Sequence, residues 1–162
     1  MKYAKILSVS LVAAALLMSG CDDKPTATSG PRPKDGPKEA AHPHGKGPNG
    51  GVVFDLGKYH AEFTVDHPKK ECYILVIDGE DKDAKPLPIA VKDLVVVTKE
   101  TKTKEGKVVP SMTIKMAAQD EKGGKASKFT GTDPTLINVA DFEGSVTAVI
   151  DGKPSQGSFK EE

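Results

Sequence analysis

Tryptophan is absent from this chain, and cysteine occurs only twice, at Cys21 and Cys72. Two cysteines cannot build the multi-bridge framework of a small secreted scaffold. With no tryptophan and no cysteine pair inside the apolar strands, the signature of a true immunoglobulin domain is missing. No CxxC or HExxH spacing occurs, and there is no GxSxG elbow, phosphate-cradling loop or pair of catalytic carboxylates. The sequence therefore reads as non-enzymatic. Charge of one sign is lacking too, because 23 basic residues balance 23 acidic ones. That balance gives no footprint for nucleic acid and no polybasic cluster for anionic lipid.

What is present begins with an address. Lys2 and Lys5 precede an uncharged apolar run, Ile6 to Met18, followed by Ser19, Gly20 and Cys21. The run has 13 residues, whereas a membrane-spanning helix needs roughly 20. The order of charge, apolar run and small residues is that of an export signal. Its end, MSGC, resembles the bacterial lipobox, in which cleavage leaves a lipid-bearing cysteine. Residues 1–20 are thus expected to be the signal and Cys21 the lipidation site. Loss of Lys2 and Lys5 would leave the mature chain at about −2. The expected location is a membrane of the bacterial envelope, with the chain facing the periplasm. Asp22 resembles an inner-membrane retention signal of enteric-type bacteria, and the sequence leaves the choice of membrane open.

Residues 21–50 form one compositional block. From Asp22 to Gly50 it holds half of the chain's twelve prolines and no valine, isoleucine, leucine, phenylalanine or tyrosine. Such a segment buries too little apolar surface to offset its ordering entropy, so a disordered, proline-stiffened tether is expected. The remainder, 51–162, is long enough for one small core.

Its pattern is of period two. In YHAEFTVD, Tyr59, Ala61, Phe63 and Val65 alternate with His60, Glu62, Thr64 and Asp66. CYILVI is apolar on both faces, which predicts a central strand covered twice. In that run Cys72 reads as a small buried hydrophobe. DLVVVTK and the longer KVVPSMTIKMAAQ continue the series, with Pro110 marking an edge or a bulge. Asp151-Gly152 predicts the tight turn of a closing β-hairpin. Asp133 followed by Pro134 predicts one short helical turn. About seven or eight such strands make an all-β fold. The expected architecture is a small β-sandwich, immunoglobulin-like or an open barrel, on a disordered N-terminal tether.

Histidine supplies the remaining chemistry. His60 and Glu62 lie two apart on a strand, so they share a face and can both reach a zinc or copper ion at about 2 Å. His42 and His44 stand in the tether sixteen to eighteen residues earlier. If 51–56 pairs with 59–66, the tether enters near Asp66 and His67, roughly 20 Å from His60 at about 3.3 Å per residue. Metal ligands at His42, His44, His60 and Glu62 would then require the tether to fold back. The bland alternative is a solvated strand face and a polar linker. DGEDKDAK (78–85) lacks the glycine and distal glutamate of an EF-hand and reads as a hairpin loop.

The block GPNGGVVFDLGKYHAEFTVD, with YILVIDG and PLPI after it, resembles a family of uncharacterised small bacterial lipoproteins. SKFTGTDPTLINV and VIDGKPSQGSF resemble that family's C-terminal half. The histidine-rich entry to GPxGG…HxE also resembles the N-terminal region of periplasmic adaptor subunits of heavy-metal efflux pumps. That second resemblance implies metal contact through His60 and Glu62 with His42 or His44, although Asn49 stands where histidine is common. Two functions remain open. One is a lipid-anchored, non-catalytic β-sandwich presented to an envelope protein partner. The other is a copper- or zinc-binding module in envelope metal handling. The sequence does not reveal the oligomeric state.

Overall fold

A computed structural model describes residues 44–162. The expected signal, Cys21 and His42 lie outside the described residues. Within them the chain is all-β and antiparallel, arranged as two open sheets. β1 (Val52–Leu56), β2 (Tyr59–Asp66) and β3 (Glu71–Ile77) run up and down by short turns. β4 (Val91–Thr98) starts the second sheet, and β5 (Thr101–Lys102) with β6 (Val108–Val109) forms a small separate ribbon. β7 (Thr113–Lys115), β8 (Ala117–Ala118) and β9 (Lys128–Thr132) follow. A single 3₁₀ turn at Pro134–Ile137 precedes the hairpin of β10 (Glu143–Ile150) and β11 (Lys153–Lys160). The sheet orders are β1-β2-β3-β9-β8 and β11-β10-β4-β7.

Local sequence accounts for most of these elements. Asp151 and Gly152 adopt φ of 50° and 77°, the left-handed pair that a two-residue hairpin turn requires. Asp133 caps the 3₁₀ turn by accepting from the Thr135 N–H, with Pro134 at the first helical position. β3 is covered on both faces as expected. Cys72, Ile74 and Val76 enter the main core, while Leu75 and Ile77 join Val53 and Ala84 in a second apolar cluster on the outer face.

The segment 107–119 differs from the long strand that its alternation predicts. It is cut into β6, β7 and β8, with Pro110 between the first two. β7 pairs with β4 at an edge of the second sheet, and β8 pairs with β9 at an edge of the first. Met116 sits between them, its N–H donating to the Leu94 carbonyl. The strand thus changes sheets and closes one corner of the sandwich. There Gly131 admits Ile114, whose Cγ2 would stand 2.4 Å from any added Cβ.

The core between the sheets centres on aromatic contacts across the layers. Phe63 of β2 stacks on Phe159 of β11 with ring centroids 4.1 Å apart, and Phe54 of β1 meets the same ring at 5.8 Å. Burying each such side chain contributes roughly 1.5–3 kcal/mol. At this second corner Gly157 lets β1 approach β11, since a Cβ there would lie 2.1 Å from the Asp55 carbonyl oxygen. The packing holds Asp55 and its neighbours on a rigid hairpin whose other face is free for a different use.

Candidate metal centre

Residues 44–50 belong to the proline- and glycine-rich block by composition, yet they lie against the outer face of the first sheet. The chain turns back on itself through Gly47-Pro48-Asn49-Gly50-Gly51. The Gly50 N–H donates to the Gly47 carbonyl at 2.9 Å, and the Gly47 N–H donates to the Gly51 carbonyl at 3.0 Å. Gly50 takes φ of 79°, and Lys46 bridges Val52. This is a three-residue hairpin loop with its left-handed glycine in place. Glu62 fastens it. One carboxylate oxygen accepts the Asn49 and Gly51 N–H groups, and the other accepts the Asn49 side-chain amide, all at 2.8 Å. Glu62 is 0 % exposed, and Gly47 sits so close that an added Cβ would be 2.5 Å from the Glu62 carboxyl carbon.

That turn delivers His44 to His60. The chain does enter β1 at the far end of β2, with Val52 opposite Phe63, and the loop then folds the arm back over the hairpin as a shared site requires. The two imidazoles meet edge to face with ring centroids 5.4 Å apart. Asp55 stands directly across the ladder from His60. Its Oδ1 lies 3.3 Å from His60 Nε2, and its Oδ2 lies 3.3 Å from His44 Nε2. Glu80, on the loop after β3, brings Oε1 to 3.1 Å from His60 Nε2 and Oε2 to 3.5 Å from His44 Nδ1. Four side chains from three separate segments thus converge.

Three of these side chains bring possible ligand atoms together. The His44 side chain is 6 % exposed, and among the described residues neither buried ring nitrogen makes a hydrogen bond, although carboxylate oxygens stand 3.3 and 3.5 Å from them. Ligand atoms of His44, Asp55 and His60 all lie within 4.8 Å of one another. A tetrahedral ion bound at about 2.0–2.2 Å places its donor atoms roughly 3.3–3.6 Å apart. Asp55 stands 3.3 Å from Nε2 of each imidazole, close to such an edge, though through a different oxygen to each ring. The two carboxylates beside the imidazoles supply negative charge that a divalent cation would balance.

Of the residues singled out by sequence, His44 and His60 are therefore brought together. Glu62 shares the face of His60 but is committed to the loop, so it positions His44 instead of joining the donors. His67 is remote, its Nδ1 lying 2.7 Å from the Leu136 carbonyl oxygen. Asp55 and Glu80 were missed. The two-residue link Gly57-Lys58 could have revealed Asp55, because it pairs Leu56 with Tyr59 and hence Asp55 with His60. Glu80 carries no such signal, since its place depends on how the loop 78–85 lies over the sheet. In that loop Asp78 and Asp81 accept backbone N–H groups of Lys85 and Asp83. Cys72 contributes no donor to the cluster. It is buried, and desolvation pushes its thiol up to about 12, which keeps it protonated and inert at neutral pH.

Comparison with known proteins finds no matching family model, no matching curated protein and no matching solved structure.

Proposed function

We propose that this chain is a lipid-anchored, non-catalytic protein of a bacterial envelope whose β-sandwich binds divalent zinc or copper through His44, Asp55 and His60. The observation that carries the reading is the His44 side chain, buried with neither ring nitrogen hydrogen-bonded among the described residues, beside a second imidazole and two carboxylates. A buried polar group left without a partner costs about 1–3 kcal/mol, and coordination to a metal would relieve that cost. Imidazole and carboxylate donors suit zinc or copper(II), and the absence of a thiolate or thioether among them disfavours copper(I). The anchor at Cys21 rests on the charge, apolar run and MSGC order of the N-terminus. In this reading the lipid holds the metal site at a membrane surface, where it buffers or delivers the ion.

Thermal unfolding of the full-length chain in detergent, with and without zinc, tests it. Zinc at a hundred times its dissociation constant adds about 2.7 kcal/mol to stability, which raises the midpoint by roughly 10 °C in a domain of this size. His60→Ala is expected to abolish the shift. An unchanged midpoint in the parent protein, or an equal shift in the variant, would dispose of the metal reading.

A further inference from the structure

The metal reading above rests on three donors, and a fourth group stands against them. We infer that Glu80 is the fourth ligand and the one that yields when metal enters or leaves. The inference depends on that reading and specifies how the site would work.

The four groups are held very differently. Asp55 and His60 sit on paired strands, opposite each other in the ladder. His44 is almost fully enclosed, and its arm is tied down by the three hydrogen bonds to Glu62. Glu80 lies near the tip of a loop closed at its base, where the Asp78 N–H donates to the Lys85 carbonyl at 3.0 Å and Ile77 bridges Pro86. The base is further pinned by Ala84, which packs on Val53, Leu75 and Ile77. The loop as a whole is thus anchored, while the Glu80 side chain remains 58 % exposed. Asp78 and Asp81 spend their carboxylates on the loop's own N–H groups. Glu80 spends its own on the two histidines, one oxygen toward each ring.

Glu80 Oε1, 3.1 Å from His60 Nε2, stands where it could complete a two-nitrogen, two-oxygen set with the three donors. Its other oxygen faces His44 Nδ1 rather than the Nε2 that meets Asp55. A closed four-ligand site holds zinc for structure, whereas an open or readily opened position lets another ligand enter. Rotation of the Glu80 side chain would open that position without disturbing the strands, the arm or the core. An incoming donor from water, a small chelator or a partner protein could then take its place. The site would accordingly load and release its ion from the loop side.

Zinc alone is the probe, measured by competition with a chromophoric chelator on the full-length chain in detergent. Glu80→Gln removes the anionic donor but preserves size and exposure. Its expected effect is a loss of zinc affinity of about tenfold or more, since even groups that only support a ligand are worth about ten- to a hundredfold. The loss should appear as faster release into excess chelator, with the rate of uptake nearly unchanged. Asp83→Asn removes an exposed charge from the same loop and is expected to leave both rates as they are. Equal kinetics in Glu80→Gln and the parent would overturn the inference while leaving the three-donor site intact. Equal losses in the two variants would also overturn it, by assigning the effect to loop charge. No zinc binding by the parent would remove this inference and the underlying reading together.

Discussion

The two faces of the first sheet are made by alternate residues of the same strands, yet they are covered by different means. On the inner face Phe54, Phe63, Ile74 and Val76 meet the second sheet in a dry apolar core. On the outer face Val53, Leu75 and Ile77 form only a small apolar patch. Beside that patch the face carries Asp55, His60 and Glu62, roofed by the arm 44–50 and the loop 78–85. Apolar packing against a sheet needs no directional partner, so the inner face can be made by any well-filled set of hydrophobes. The outer roof is irregular backbone, whose N–H groups need acceptors. Glu62 supplies them, and in doing so it sets His44 beside His60. The inner face holds the fold, and the outer face holds the site.

Substitutions on each face should therefore separate stability from binding. Phe63→Ala, on the inner face, removes the ring stacked on Phe159 and should cost about 3–5 kcal/mol. Urea unfolding would record that loss, while zinc affinity measured well below the transition changes little. Glu62→Ala, on the outer face of the same strand, removes an acceptor of three hydrogen bonds and should cost about 2 kcal/mol. Here the larger signature is local. Amide exchange at Asn49 and Gly51, whose N–H groups donate to Glu62, should accelerate, and zinc affinity should fall because His44 loses its fixed position. His44→Ala is expected to change metal-free stability least, by about 1 kcal/mol or less in either direction, because relief of an imidazole without hydrogen bonds offsets the packing it loses. A slight gain would fit a buried imidazole kept for binding at some cost in stability. Its zinc response should nevertheless be lost. A large fall in metal-free stability for His44→Ala would instead make the cluster a structural ion-pair network.

The same contrast explains what could be read from the sequence. Period-two alternation marked β2, and the unbroken apolar run marked β3 as covered on both faces. Asp151-Gly152 and Asp133-Pro134 marked the closing hairpin and the 3₁₀ turn, because those backbone angles are local demands of the residues themselves. The sheet switch between Lys115 and Ala117 left no trace, since the alternation of Met112, Ile114 and Met116 is the same whether or not a strand changes partners. At the site, His44 and His60 were legible as residue types, and Glu62 as a neighbour on the same face. What that glutamate does was not legible, because it depends on the backbone that happens to lie above it. The reversal of the arm had a signal in Asn49-Gly50, a strong hairpin dipeptide. It was masked by the polar, proline-rich composition around it.

X-ray absorption at the zinc edge of the loaded full-length protein tests the central claim most directly. The account predicts a first shell of nitrogen and oxygen at about 2.0–2.2 Å with no sulfur at about 2.3 Å. It also predicts the outer-shell scattering of two imidazoles, reduced to one in His44→Ala if any zinc remains. A sulfur shell, or a spectrum unchanged by removal of His44, would contradict it.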